Sequence, residues 1–474
     1  MTDDYSDDKQ KETEIKAAIE RYEEMLRRNK RYFFDQELLV QIIEHYDLAD
    51  EGDKAMEVVD YAIELYPFSS ELLMKKAQLL TDLGKYDAAL KLLDKAASLA
   101  PTDTNVRLLR SDVLMLQNKY QDAVDELKEG LPYVAEDADN YYMEIADIYF
   151  EWEHTQEAFE YLKKAIEINP NNEFALNRLW YLVDVTGNYE ESIEFHKAFL
   201  AENPFSYTAW MNLSQAYCGV SLYEKALDCC EYALAINDGI DTAYRDAGEI
   251  LILLKRFQEA LEYLLKVQNL HIPDPYLYYN IGFCYEKLKD FNKAKGFYLR
   301  STQINKNFAE GYLQLGELYA KTKEWQKSIP YYRSAVKINE DYLPYKAKLA
   351  KALLKAEQFG EAQRLFLELL THQTKKKNWW IGLISACLHQ NQMQEASDAV
   401  EMARNAMGNL PEWRWANALI QYMDNQPKAA ELEMEIAYAE QSNSMKVLWE
   451  YLPEAKDDQA LKILLKKIKS DKLD

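Results

Sequence analysis

The sequence predicts an all-α protein, an α-solenoid of antiparallel helix pairs, and three recurrences carry that expectation. Ala or Ser returns twelve times, at Ala55, Ala89, Ala123, Ala158, Ser192, Ala226, Ala260, Ala294, Ser328, Ala362, Ala396 and Ala430, with ten gaps of 34 residues and one of 35. A second small series, Ala77, Ser111, Ala146, Ser214, Gly248, Gly282, Gly316 and Ala350, lies twelve positions earlier in the same periods. Aromatics recur between the two, at Tyr86, Tyr120, Tyr189, Tyr223, Phe257, Phe291, Trp325 and Phe359. A unit of this length is one helical hairpin, which cannot bury its apolar face alone; stacked neighbours form a continuous core.

Taken in order, residues 1–35 read as a disordered start, expected over 1–10, followed by a capping helix over 11–30 in which Ile15, Ile19, Tyr22 and Leu26 share a face. Residues 36–440 read as about twelve helical hairpins in one solenoid. In the unit ending at Pro170, Ile145, Ala146 and Tyr149 form the apolar face of a first helix, and Ala158, Leu162 and Ala165 that of a second. The small residues let the helices approach closely, and the recurrent aromatic is placed to staple the turn onto its own hairpin. Pro67, Pro101, Pro170 and Pro204 end second helices, since proline lacks the N–H that would continue them.

Three places depart from the regular pattern. The extra residue between Ala123 and Ala158 falls near Gly130 and Pro132. Trp180 and Phe199 are bulky where other units are small, which predicts a wider or rotated junction. Leu369 and Ile384, around the segment THQTKKKNWW, predict another altered junction. Residues 441–474 read as C-terminal capping helices, with Leu461, Leu464, Leu465 and Ile468 on one side of the last.

A net charge of −24 and a pI near 4.8 disfavour nucleic acid and anionic membrane, because the surface field repels phosphate. Hydrophobic residues at 48%, with 35 Tyr, supply ample core. Five Cys without a CxxC pair argue against a disulfide framework and for a reducing compartment. The start carries no basic and apolar leader pattern and no long apolar run follows, so the expected location is cytoplasmic, without membrane insertion.

No cofactor, metal or catalytic residue is implied. His45, His154, His196, His271, His372 and His389 fall without ligand spacing, and no phosphate-binding glycine loop or nucleophile elbow occurs. Most acidic residues read as solvated helix faces.

The small, aromatic and proline positions at a 34-residue period resemble the tetratricopeptide repeat family over about residues 36–440. The resemblance implies a right-handed superhelix, lined inside by first helices, that receives a peptide or partner helix. On that face the candidate partner-binding residues are Asn177, Arg178, Tyr181, Asn212, Gln215, Arg245, Tyr276, Tyr279, Asn280 and Phe283, which mix amide donors, guanidinium forks and aromatic surfaces. The family's clamp for a terminal carboxylate is matched only loosely by Arg178, Asn212 and Arg245, because the Lys-and-Asn pairing within one first helix is missing. The expected function is therefore a non-catalytic scaffold or adaptor for a protein or peptide, with an internal, basic segment compatible with the acidic array. Structural self-assembly into a homo-oligomer and service as a regulatory subunit of an enzyme complex are the competing readings.

Overall fold

The structure, a computed structural model, describes residues 4–28, 30–134, 137–267 and 274–470. Every regular element among them is helical, and the chain divides into two compact units, Met1–Asp238 and Gly239–Asp474. Within each unit, antiparallel helix pairs stack in chain order.

In the first unit α1 (Asp4–Arg28) precedes six pairs. These are α2 (Gln36–Leu48) with α3 (Gly52–Leu65), α4 (Ser70–Asp82) with α5 (Tyr86–Leu99), and α6 (Thr104–Leu116) with α7 (Tyr120–Gly130). Then come α8 (Ala138–Glu151) with α9 (Thr155–Ile168), α10 (Glu173–Thr186) with α11 (Tyr189–Glu202), and α12 (Tyr207–Gly219) with α13 (Tyr223–Ile236). Helix thus begins at Asp4, within the stretch expected to be disordered; residues 1–3 lie outside the described residues. Tyr22 and Met25 of α1 are buried, and the Tyr22 ring meets Phe34 at 6.0 Å.

The second unit holds α14 (Asp241–Leu253) with α15 (Phe257–Val267), α16 (Pro275–Lys287) with α17 (Phe291–Ile304), and α18 (Ala309–Lys321) with α19 (Trp325–Ile338). It continues with α20 (Leu343–Lys355) and α21 (Phe359–His372), α22 (Lys377–His389) and α23 (Met393–Met407), and α24 (Pro411–Met423) and α25 (Pro427–Glu440). Short 3-10 turns, α26 (Leu448–Tyr451) and α27 (Gln459–Ser470) finish the chain.

Among the described residues, eleven of the twelve hairpin turns are closed the same way. Asn118 N–H donates to Met115 O at 2.8 Å and Lys119 N–H to Leu114 O at 2.9 Å, and the same pair of bonds recurs at Lys289 and Lys323. This closure requires a left-handed residue just past the first helix. Among the described residues ten such positions carry a side chain, including Lys255 (φ 63°), Lys289 (φ 65°), Lys323 (φ 60°) and Glu357 (φ 63°). A side chain there costs roughly 1–2 kcal/mol, against roughly 0.5–1 kcal/mol of extra chain entropy lost by glycine. Lys255→Gly, Lys289→Gly, Lys323→Gly and Glu357→Gly are therefore each expected to stabilise by about 0.5 kcal/mol, and together to raise the denaturation midpoint of the second unit. An unchanged midpoint in the quadruple variant would reject turn strain as a cost of this fold.

The close approach of paired helices rests on an inverse matching of size. A methyl group added at Gly248 would meet Leu264 at 2.5 Å, one at Gly282 would meet Tyr298 at 2.8 Å, and one at Gly316 would meet Tyr332 at 2.7 Å. The small residue of the first helix thus receives the large residue sixteen positions on in the second. At that register in the fifth pair stand Trp180 and His196, and there α10 and α11 scarcely touch; α10 packs on α9 and α12 instead. The wider junction expected from Trp180 is present. Its turn also differs, since Gly187 N–H bonds to Val183 O at 2.8 Å without the second closing bond. His196 is fully buried, its Nδ1–H donates to Ser192 O at 2.8 Å, and burial pushes its pKa down to about 4, so the ring is neutral.

The recurrent aromatics do not staple their own hairpins alone. Tyr120 stacks on Trp152 of the next pair at 6.1 Å, and a Cβ at Gly219 would strike the Tyr189 ring at 2.5 Å. In the second unit Phe257 meets Phe283 at 6.2 Å and Phe359 meets His389 at 4.5 Å. They join successive repeats as well as closing their own hairpins, as Tyr189 does against Trp180 at 6.5 Å.

Near Leu369 and Ile384 the pairs keep their close packing; what changes is that the tail covers α22. Ser385 Oγ donates to Tyr451 O at 2.7 Å, Tyr451 Oη to Glu412 O at 3.3 Å, and Trp415 Nε1 to Ser444 Oγ at 2.8 Å. Leu461, Leu465 and Ile468 of α27 are buried against α25, beside the Lys467–Glu431 ion pair at 2.6 Å.

Candidate functional site

One residue after the small position, a first-helix side chain points away from its partner helix. On α6, α8 and α10 these residues are Asp112, Asp147 and Tyr181. Residues three or four positions away share that helix face, which adds Leu116, Glu144, Glu151 and Arg178. Together they border an open cleft of about 630 Å³ in the first unit. Its floor is Ala146, Ala158, Leu162 and Leu182, and Met115, Tyr120, Phe150 and Tyr181 form apolar walls.

Four carboxylates and one guanidinium line this cleft. Arg178 is ion-paired with Asp147. Tyr181 is 59% exposed, its ring set edge-on to Phe150 at 5.8 Å. Asp112 is exposed at the mouth of the cleft, but the atoms crowded around it on the concave side thin its hydration; that desolvation, and then the charge of Glu144, push its carboxyl up to about 6. Because the folded value lies above the unfolded one, ionising Asp112 burdens the folded state. That cost is absent below pH about 4, grows as pH rises, and is complete above pH about 6. A cation brought to this carboxyl would lower its pKa and relieve that cost.

The charge of the whole chain is divided unevenly. The first unit holds 23 basic and 49 acidic residues, a net −26, and the second 33 and 31, a net +2.

The ten residues expected to bind a partner are divided between the units, and each set is described by itself. In the first unit Arg178 and Tyr181 line the cleft, Asn177 is exposed on α10, and Gln215 is half-buried on α12. Asn212 is not available: it is 5% exposed and its Nδ2–H donates to Leu176 O at 2.9 Å. Its amide ties α12 to α10 across the widened fifth pair.

In the second unit Arg245 is ion-paired with Asp274 at 3.1 Å, and Asn280 Nδ2–H donates to Glu249 Oε1 at 3.0 Å. Tyr276 is exposed with its ring edge-on to Phe308 at 4.8 Å. Tyr279 accepts from Gln314 Nε2 at 3.4 Å, and burial is the main cause of its raised pKa. Phe283 lies under the Lys287 ammonium at 4.7 Å.

Asp112, Glu144, Asp147, Glu151, Tyr120 and Phe150 were not among the expected residues. The signal was present in the register: Asp112 and Asp147 stand where Tyr181, Gln215 and Phe283 stand in other repeats. Acidic side chains in an acidic chain read as solvated faces unless the register is followed row by row.

Among the described residues no three His, Cys, Asp or Glu side chains are grouped to hold a metal, and His271 lies outside those residues. Burial pushes the thiols of Cys229 and Cys284 up to about 12 and that of Cys387 to about 11, leaving them protonated and weakly reactive. No helix of the described residues is long and apolar enough to cross a membrane.

Tetratricopeptide repeat family models match residues 80–148; residues 139–172, 275–308 and 309–342; and residues 39–104 and 347–411, together more than half of the chain. No curated protein matches it. Among solved structures, that of MamA is 20% identical over 33% of this chain and 92% of its own, with a TM-score of 0.32. A tetratricopeptide repeat protein from Parabacteroides merdae is 15% identical over 52% of this chain and 99% of its own, at 0.37. Yeast Tom70 is 14% identical over 83% of this chain and 96% of its own, at 0.35. These likenesses are too distant to bear on function.

Proposed function

Since the chain belongs to the tetratricopeptide repeat family, whose members typically act as non-catalytic interaction scaffolds, we propose that it binds a segment of another polypeptide in the cleft between α6, α8 and α10. The observation that carries this reading is the chain's own behaviour at the equivalent register. Ser385 on α22 occupies the row of Asp112, Asp147 and Tyr181, and there the chain's tail lies against the first helix with Tyr451 O bonded to the Ser385 hydroxyl. The same helix row in the first unit is open and has both apolar walls and polar groups to orient a backbone. A cytoplasmic, reducing location belongs to this reading, supported by five cysteines that form no disulfide.

Selection of displayed random peptides against the full chain tests it. Enriched peptides are expected to lose roughly tenfold or more in affinity on Tyr181→Ala, because an aromatic at the centre of a recognition surface carries a large share of its energy. Helicity and melting should be unchanged, as Tyr181 is mostly exposed. Undiminished affinity in the folded variant would remove the cleft from the function.

A further inference from the structure

We propose that the occupant of the α6–α8–α10 cleft is basic: a partner segment that lays an Arg or Lys side chain between Asp112 and Glu144 and a neighbouring apolar residue against Phe150 and Tyr181. This rests on the polypeptide-binding reading above and names the chemistry of the bound segment.

Three observations support it. Among the described residues no cation is paired with Asp112, Glu144 or Glu151, although Asp147 beside them already holds the Arg178 guanidinium. A guanidinium is therefore a group this cleft accommodates. Asp112 and Glu144 repel each other in a concave setting with reduced screening, and a cation between them relieves that repulsion while the aromatic walls add attraction through their ring faces. The charge of −26 on this unit draws basic segments toward the cleft and turns acidic ones away.

Three synthetic dodecapeptide pools supply the probe. Each randomises Leu, Tyr, Ser and Gly around a central pair that is Arg-Arg, citrulline-citrulline or Glu-Glu, and retention on the immobilised full chain is measured. Citrulline keeps the shape of arginine and removes its charge. The Arg pool is expected to be retained roughly tenfold above the citrulline pool and the Glu pool not at all, and Asp112→Asn with Glu144→Gln should bring the Arg pool down to the citrulline level. Asp53→Asn with Asp122→Asn removes the same charge outside the cleft and should leave the preference intact. Equal retention of Arg and citrulline pools, or equal losses in both double variants, overturns the basic occupant. If Tyr181→Ala also abolishes that charge-independent retention, the interaction site survives and only its chemistry is wrong. If no pool is retained and displayed peptides yield no cleft-dependent binder, both readings fall.

Discussion

Gly282→Val is expected to cost about 3 kcal/mol or more and to loosen α16 and α17 together, because a bulky group enters a site already filled. A Cβ at Gly282 would lie 2.8 and 2.9 Å from two atoms of the Tyr298 ring and 3.3 Å from the Ala294 carbonyl oxygen. The ring cannot swing aside. Tyr298 is fully buried, and its hydroxyl donates at 2.9 Å to Glu286, a carboxylate only 6% exposed that also holds Lys321. Burial, then the charge of Glu286, raise the phenol's pKa and keep that donor protonated. Moving the ring would leave a buried carboxylate without one of its partners, which is more costly than the contact itself.

Local hydrogen exchange is the suitable measurement, since a repeat array opens in neighbouring units rather than all at once. Amides of α16 and α17 should lose protection first. Gly282→Ala combined with Tyr298→Leu should cost less than the sum of the single changes, as expected for residues in contact. Strict additivity would mean that the size match between the two helices is not what sets their spacing.

Trp415→Ala is expected to cost about 3–5 kcal/mol, the range for emptying a fully buried Trp site, and to release the tail before anything else. Trp415 is 0% exposed, and its indole N–H donates to Ser444 Oγ at 2.8 Å. That bond and the Ser385–Tyr451 bond fasten residues 442–456 over α22 and α24. Tail amides should exchange quickly in the variant, and limited proteolysis should cut between α25 and α27, while α16 and α17 keep their protection. A tail as protected as in the parent protein would show that α27 packing alone retains it.

Much of the architecture is legible in the sequence alone. The 34-residue recurrence located every hairpin from α2 to α25, and Trp180 marked the pair whose helices separate. The strained turns were less visible, because Lys289, Lys323 and Glu357 look like ordinary surface residues and only φ identifies them. Asn212 misled for a related reason. Its row is a solvent row in neighbouring repeats, but the separation of α10 from α11 brings Leu176 O within reach and draws the amide inside.

The candidate cleft was legible in part. Arg178 and Tyr181 stood out as a fork and an aromatic, whereas Asp112 and Glu144 gained significance only when α6 and α8 were set side by side. A carboxylate's chemistry depends on which other charges face it and how much water remains, and neither follows from its own helix.

The sequence by itself determined the class of fold, the register of its repeats and the pair in which the small-residue pattern fails. These are set by side-chain size and local backbone preference, and both repeat along the chain. Tertiary structure decided which first-helix residues remain open, which the fold consumes, and where the tail settles, because burial and electrostatic coupling arise between residues a full repeat apart. In this protein the helix pairs are a local property, and the surface they present is a collective one.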